Sequence, residues 1–359
     1  MMKQARLDTV MREMANRNIP QMLVSDPAAI FYLTGQWIHP GERMIALLLN
    51  LAQKHRLFVN ELFSLQEDIG VPITRFNDMQ DPIEIVSGYV DKQKPIGIDK
   101  NWPSRFLLRL MELKSGSKFI NSSIILDRSR MCKDFEEIEL MREASSINDV
   151  AIGKLITLLP EKYSESRYSQ LLLGIYEDLG AQGCSFNPNI SFGANGADPH
   201  HKTGNSLVKE GDSIVMDIGC KKDSYCSDMT RTVFYKYATD QAIKVFNIVL
   251  EANKRALDSV KPGVKFCDID AVARNYIEAA GYGKYFIHRT GHCIGLEAHD
   301  FGDVSSINTD EVKPGMIFSI EPGIYLPGEF GVRIEDLVLV TEKGCEVLNH
   351  YNKELTIVE

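Results

Sequence analysis

The sequence has no CxxC pair. Its seven cysteines, Cys132, Cys184, Cys220, Cys226, Cys267, Cys293 and Cys345, are scattered and odd in number. That pattern argues against a thiolate zinc site or a disulfide scaffold and suggests a reducing cytoplasm. Free cysteine is most often a small buried hydrophobe, the alternative being that Cys220, Cys226 or Cys293 takes part in chemistry. Basic charge is also scarce: 40 Lys and Arg face 49 Asp and Glu, a formal net charge of −9. A duplex-DNA or anionic-membrane partner, which needs clustered Lys and Arg, is therefore not expected. No apolar stretch approaches the ~18 residues of a membrane span. Near the start, Lys3, Arg6, Asp8, Arg12 and Glu13 interrupt any signal-peptide core. Repeats, low-complexity segments and Pro/Gly/Ser linkers are missing too. What remains is 359 residues, 44% hydrophobic and 25% charged, the profile of a globular enzyme with two packed domains of roughly 150 residues each.

The first third alternates strands and helices. An amphipathic stretch from Arg6 to Asn16 precedes the apolar run Met22 to Val24, and Pro27 opens a segment ending at Gly35. Runs at Met44 to Leu49, Leu57 to Val59 and Ile96 to Ile98 predict sheet strands, and Ser104 to Leu113 has helical spacing, giving an α/β domain. Asp134 to Leu159 then predicts a long helix stopped by Pro160. Ser164 caps a second helix, and two more run over Thr239 to Val260 and Asp268 to Gly281. Strand patterns at Ser213 to Ile218, Ser227 to Tyr235, Met316 to Ile320 and Val332 to Val340 mix with these helices. The expectation is an α+β second domain, with the division at 1–127 and 128–359.

Acids sit where strands should be apolar. Asp217 interrupts Ile214 to Ile218, Glu321 ends Met316 to Ile320, Asp228 opens the strand leading through Thr230 to Val233, and Glu335 lies inside Val332 to Val338. An ionised carboxylate in such a setting is costly unless it is paired or binds a metal. A two-residue turn at Lys222-Asp223 would set Asp217 opposite Asp228, and a turn centred on Gly328 would set Glu321 opposite Glu335. Opposed carboxylates repel, so two such pairs call for cations. Five of the eight histidines cluster: His200 and His201, then His288, His292 and His299 among Gly291 and Gly295. Three histidines within twelve positions fit a site where backbone and ligand approach closely.

Taken together, Asp217-x-Gly219, Ser227-Asp228-x-Thr230-Arg231-Thr232, Gly291-His292, Glu321-Pro322-Gly323 and Arg333-x-Glu335-Asp336 resemble the pita-bread metallopeptidases, and within them the Xaa-Pro peptidases, prolidase and aminopeptidase P. Tyr32-Leu33-Thr34-Gly35 and Gly41-Glu42-Arg43 are similar to that family's creatinase-like N-terminal domain, and Arg130, Lys133 and Glu137 to the start of its interdomain helix. The resemblance implies that Asp217, Asp228, His292, Glu321 and Glu335 bind two metal ions, with Asp228 and Glu335 bridging. It also implies that His200, His299 and Arg333 face the substrate or support the ligands, with His288 near them. Four carboxylates and one imidazole favour Mn²⁺, although Co²⁺ and Zn²⁺ can occupy such ligands. Two ions sharing a hydroxide would lower the pKa of its parent water, so that the hydroxide can attack a peptide carbonyl near neutral pH. Glu321 is expected to carry the proton to the leaving nitrogen, and His299 and His200 to hydrogen-bond the developing oxyanion. Arg333, two positions from Glu335 on one strand face, is expected to orient that ligand.

Two departures stand out. Cys293 replaces the Gly that usually follows the metal-binding His, and Ser224 a Gly before Tyr225. The segment Phe301 to Pro314 contains no Arg, although dipeptidases of this family often hold the free carboxylate with one there. This shifts weight toward an aminopeptidase acting on longer chains. His39 is a substitute if a neighbouring subunit of a homodimer covers the site; otherwise it is an exposed loop residue. The expectation is a cytoplasmic two-metal peptidase cleaving before proline. A creatinase-like amidinohydrolase and a non-catalytic peptide-binding module are disfavoured because all five ligands are present, and a methionine aminopeptidase because it generally lacks this N-terminal domain.

Overall fold

The computed structural model describes residues 2–65 and 68–359. It divides into two compact units, Met1–Arg130 and Met131–Glu359. The expected division after residue 127 and this one both fall within a single helix, Ser123–Met131.

The first unit is built on a six-stranded sheet. Its strands are β1 (Gln21–Val24), β2 (Ile45–Asn50), β3 (Arg56–Asn60), β4 (Ile73–Phe76), β5 (Pro95–Ile98) and β6 (Lys118–Asn121), in the order β4-β3-β2-β1-β5-β6. β1 and β2 are buried along almost their whole length, which is why they read as unbroken apolar runs instead of alternating ones. Its helices are α1 (Gln4–Asn16), α2 (Pro27–Thr34), α3 (Pro82–Ser87), α4 (Ser104–Glu112) and α5 (Ser123–Met131). α2 shows both of its sequence signals. Asp26 accepts the Ala29 N–H with Pro27 in the first turn, and Gly35 ends the helix at φ 72°, the left-handed conformation that glycine takes without steric cost. β4, α3 and β6 were not anticipated; they are short and mostly half-exposed or exposed, so they lack a long apolar period.

In the second unit, α6 (Phe135–Thr157) opens with a capping box between Asp134 and Glu137, α7 (Glu165–Asp178) is capped by Ser164 and α8 (Asp240–Ser259) by Thr239. These side chains satisfy N–H groups that a helix start leaves unpaired. α9 (Phe266–Ala279) follows. The strands are β7 (Asn189–Phe192), β8 (Ser213–Ile218), β9 (Lys221–Lys222), β10 (Tyr225–Cys226), β11 (Met229–Tyr235), β12 (Gly291–His292), β13 (Asp303–Val304), β14 (Ile317–Ile320), β15 (Gly323–Leu326), β16 (Phe330–Arg333), β17 (Asp336–Val340), β18 (Cys345–Val347) and β19 (Ile357–Val358). One sheet runs β19-β11-β8-β7 and another β14-β17-β18, while β15 and β16 form a hairpin. α6 and α7 bury Ile152, Leu155 and Leu172 against Ile190, Ile214 and Met216 of the first sheet. α8 and α9 bury Val245, Phe246 and Ile269 against Phe318, Ile320 and Val338 of the second. At roughly 1.5–3 kcal/mol for each fully buried large aliphatic or aromatic side chain, these two interfaces hold the acid-bearing strands in place. Helices packed on mainly antiparallel sheets make the unit α+β, as expected.

Two details differ from expectation. The first turn is Asp223-Ser224, both at positive φ (44° and 80°), not Lys222-Asp223. Tyr225 therefore pairs with Lys222, and Asp217 with Thr230. Moving a turn centre by one residue shifts the partner by two, so Asp217 and Asp228 keep the same face but sit diagonally. The strand expected over Val332 to Val340 is broken at Ile334-Glu335 into β16 and β17. The second register is the expected one: Ile320 pairs with Asp336 and Gly323 with Arg333, about the same centre.

Candidate metal centre

Five candidate donor side chains come from strand ends of the second unit. Asp217 lies near the end of β8, Asp228 just before β11, His292 in β12, Glu321 just after β14 and Glu335 just before β17. The strands meet closely. A Cβ on Gly291 would lie 1.8 Å from the Ser319 carbonyl oxygen, so only glycine lets the His292 strand pass the Glu321 strand at this distance. Asp228, His292 and Glu335 are buried, with donor atoms within 4.8 Å of one another. His292 Nε2 is 3.5 Å from Asp228 Oδ2 and 3.6 Å from Glu321 Oε1.

Electrostatically the cluster is unfinished. Burial and the neighbouring acids, led by Glu335, push the Asp228 carboxyl well above its ordinary range. Burial, then Glu321 and Asp217, does the same to Glu335, and burial takes Glu321 to about 7. Burial and the nearby His299 hold the His292 pKa well below its ordinary value, leaving a neutral imidazole able to donate a lone pair. Asp217 Oδ1, Asp228 Oδ1 and Glu335 Oε1 are buried without a hydrogen-bond partner. Buried carboxylate oxygens without donors are costly, and oxygen-rich, imidazole-containing clusters of this kind suit divalent cations. The residues present fit such ions.

The surrounding contacts revise one expectation. Arg333 does not bond Glu335. Its Nη2 donates to Asp217 Oδ2 at 2.6 Å, Nε to Thr230 Oγ1 at 3.0 Å and Nη1 to the Tyr325 hydroxyl at 2.9 Å. The break between β16 and β17 removes the same-face relation with Glu335. Instead Thr230, which accepts from Arg333, donates its own hydroxyl proton to Glu335 Oε2 at 2.7 Å. Tyr325, absent from the sequence reading, also meets His288 Nε2 at 2.8 Å. Since its oxygen accepts from Arg333, its proton is available to His288, whose Nδ1–H then donates to the Arg289 carbonyl at 2.7 Å. His288 is thereby fixed as the neutral Nδ1–H tautomer, and burial lowers its pKa to about 3. The available signal was position: Tyr325 lies on β15, directly after the Glu321-Pro322 bend. Arg231, present in the Ser227 to Thr232 motif but given no role there, bonds Asp336 at 2.7 Å and the Glu335 carbonyl at 2.6 Å, fixing the backbone beside that acid.

The remaining histidines separate by exposure. His299 is exposed, yet its ring centroid lies 4.2 Å from that of His292. His200 is exposed in the loop following a 3₁₀ turn, Gly193–Ala197, close enough to contribute to lowering the pKa of both His288 and His299. Its neighbour His201 instead pairs with fully buried Glu165 at 3.0 Å. Glu165 also accepts from Phe192 N, Asn195 Nδ2 and Gly204 N, fastening the loop that presents His200. His39 lies in the first unit, exposed and stacked on Trp37. Burial pushes the thiols of Cys220, Cys226 and Cys293 up to about 11, 12 and 12, so they are protonated hydrophobic fillers at neutral pH.

Comparison with known proteins follows the same division. The family described as Metallopeptidase family M24 matches residues 139–342, and the Creatinase/Prolidase N-terminal domain matches residues 6–132. An uncharacterized peptidase of Staphylococcus aureus is 34% identical over 359 residues, covering 97% of this chain and 99% of its own. Among solved structures, a prolidase from Thermococcus sibiricus has a TM-score of 0.94 at 30% identity, covering 99% of each chain. An X-Pro aminopeptidase from Thermotoga maritima has a TM-score of 0.84 at 30% identity, covering 97% of this chain and all of its own. The chain belongs to metallopeptidase family M24, a peptidase of pita-bread fold preceded by a creatinase/prolidase-type N-terminal domain.

Proposed function

We propose that this protein hydrolyses the peptide bond preceding proline, acting on Xaa-Pro dipeptides or N-terminal Xaa-Pro sequences. The observation that carries the reading is the buried cluster of Asp228, His292 and Glu335, with three partnerless carboxylate oxygens in and beside it. Its likeness to a prolidase and to an X-Pro aminopeptidase supports the choice of bond.

In this reading Asp217, Asp228, His292, Glu321 and Glu335 would hold two divalent ions, most suitably Mn²⁺ with Co²⁺ or Zn²⁺ as alternatives. Bound there, such ions would supply Lewis acidity and lower the pKa of water enough for it to act as a nucleophile near neutral pH. The protein does the rest. Glu321, less deeply buried than Asp228 and Glu335, takes a proton and returns it to the leaving nitrogen. His299 and His200, both exposed at the edge of the cluster, hydrogen-bond the carbonyl oxygen as it gains charge. Arg333 and Thr230 hold Asp217 and Glu335 in position. The reading extends to a cytoplasmic homodimer divided near residue 127, with His39 offered to a neighbouring subunit's substrate.

The test is hydrolysis of Ala-Pro, Ala-Pro-Ala and Ala-Leu with Mn²⁺ present. Cleavage of Ala-Pro well above Ala-Leu is expected. Equal rates on these two would contradict the proline reading, preference for Ala-Pro-Ala would make the enzyme an aminopeptidase, and no cleavage of any would favour a peptide-binding module.

A further inference from the structure

We propose that Glu165 is a positioning residue for the hydrolysis: through His201 it holds the loop that carries His200, so that the His200 ring meets the substrate carbonyl. The role rests on the reading above, in which His200 serves the carbonyl oxygen, and adds to it a residue outside the acidic cluster.

The loop is tied to the cluster by its backbone. In the ladder of β7 and β8, Asn189 stands opposite Asp217, so the two side chains share a face. Asn189 Nδ2 donates to the Pro199 carbonyl at 3.1 Å. The residue before His200 is thus one hydrogen bond from the ladder partner of a candidate ligand. Where the loop begins, the 3₁₀ turn lies against β16: a Cβ on Gly331, two residues before Arg333, would sit 1.8 Å from the Gly196 carbonyl oxygen. The His200 ring is exposed and makes no hydrogen bond among the described residues; its backbone N–H donates to Asp198 Oδ1 at 2.9 Å. Its direction therefore comes from the backbone of the loop.

Glu165, fully buried at the start of α7, fixes that backbone from the other side. Its Oε1 accepts from Phe192 N at 2.9 Å and Asn195 Nδ2 at 2.8 Å, and its Oε2 from Gly204 N at 2.9 Å and His201 Nε2 at 3.0 Å. Four donors converge on one group, an arrangement that a carboxylate satisfies and an amide cannot. The main chain repeats the tie: Glu165 N donates to the Ser206 carbonyl at 3.1 Å and Ser166 N to the Gly204 carbonyl at 2.7 Å. Thr203 Oγ1 adds a bond to the Pro188 carbonyl at 2.9 Å and accepts the Ile190 N–H at 3.1 Å. His201 links this anchor to its chain neighbour. Releasing it frees the peptide that carries His200, and misplacing a catalytic group by about 1 Å can cost ~10²-fold in rate.

The test is a double-mutant cycle with Mn²⁺ present. Glu165→Gln keeps the shape of the side chain but sets an NH₂ group against two of the four donors. It should lower kcat by about 10- to 100-fold, with KM and calorimetric Mn²⁺ affinity within about threefold of wild type. His201→Phe should lower kcat less, and His201→Gln, whose amide can still donate to Glu165, should recover it. Combined with His200→Ala, Glu165→Gln should cost no more than about threefold beyond His200→Ala alone, because both act on the same contact. Losses that multiply, or an Mn²⁺ affinity that falls with kcat, would overturn the proposal and leave Glu165 as an anchor of the fold. So would His200→Ala turning over within about threefold of wild type, since nothing would then need positioning. Should Glu165→Gln not fold, His201→Phe, at a half-buried position, carries the same cycle. Rates are read on whichever of Ala-Pro and Ala-Leu the wild type cleaves faster. Equal cleavage of the two then counts against the Xaa-Pro reading alone, multiplying losses count against the positioning role alone, and no cleavage of either overturns both.

Discussion

In the proposed reading two demands meet at Glu321. It would bind a cation and also exchange a proton, which its partial exposure beside the buried Asp228 and Glu335 allows. Glu321→Gln should reduce kcat on Ala-Pro at least ~10²-fold, and activity within about tenfold of wild type would remove that role. Thr230 links the guanidinium of Arg333 to Glu335, so Thr230→Val should weaken Mn²⁺ binding by about 10- to 100-fold in calorimetric titration. Unchanged affinity would show that Glu335 is positioned by other contacts. The four acids and the histidine cluster, from which the proposed reading draws its metal ligands, were legible in the sequence because acids break apolar strands and histidines crowd glycines. The roles of Tyr325 and Arg231 were not, since a hydroxyl or a guanidinium in a strand carries no such contradiction, and their bonds arise only when distant strands meet. Arg333 was noticed but given the wrong neighbour.

The elements that bring these residues together are hairpins and the tight crossing of β12 with β14. The turn about Gly328 was readable from sequence because Pro327, Gly328 and Glu329 mark its centre and Gly328 takes φ 76°. The other turn was misplaced by one residue because Asp223 and Ser224 adopt positive φ without a glycine to announce it. The error left each acid on its correct face, as the two-residue period of a strand requires. At the crossing, Gly291→Ala should destabilise the protein by at least about 2 kcal/mol in chemical denaturation, because its Cβ would overlap a backbone carbonyl. Gly174→Ala, inside α7 where a Cβ meets nothing within 4 Å, should instead stabilise by roughly 0.5–1 kcal/mol. Loss at both positions would mean that the crossing is not specially tight.

For the whole molecule, the excess of acid over base is partly a property of the site. Four acids belong to the cluster, and two divalent ions would offset four negative charges. In the metal-free protein Glu321 has its pKa raised from 4.5 to about 7, and burial with the neighbouring acids also raises Asp228 and Glu335 well above their ordinary values. A carboxyl raised in the fold contributes stability that is complete below its unfolded value and is lost as pH rises through the folded one. The melting temperature of the metal-free protein relative to the Mn²⁺-loaded form should therefore fall as pH rises from about 4.5 to about 7, and Glu321→Gln should flatten that trend. A pH-independent gap would argue that these carboxylates are compensated within the protein. The division into an α/β and an α+β unit was evident in the order of patterns, but the short half-exposed elements β4, α3 and β6 were not.

The central claim is that peptide hydrolysis before proline belongs to a cation-loaded cluster of Asp217, Asp228, His292, Glu321 and Glu335. The most direct test strips the protein with a chelator, removes the chelator and follows Ala-Pro cleavage as Mn²⁺ is titrated back. Cleavage absent at the start and restored by Mn²⁺, saturating near two ions per chain, is the predicted result. Full cleavage by the stripped protein, or none at any Mn²⁺ concentration, would contradict the account.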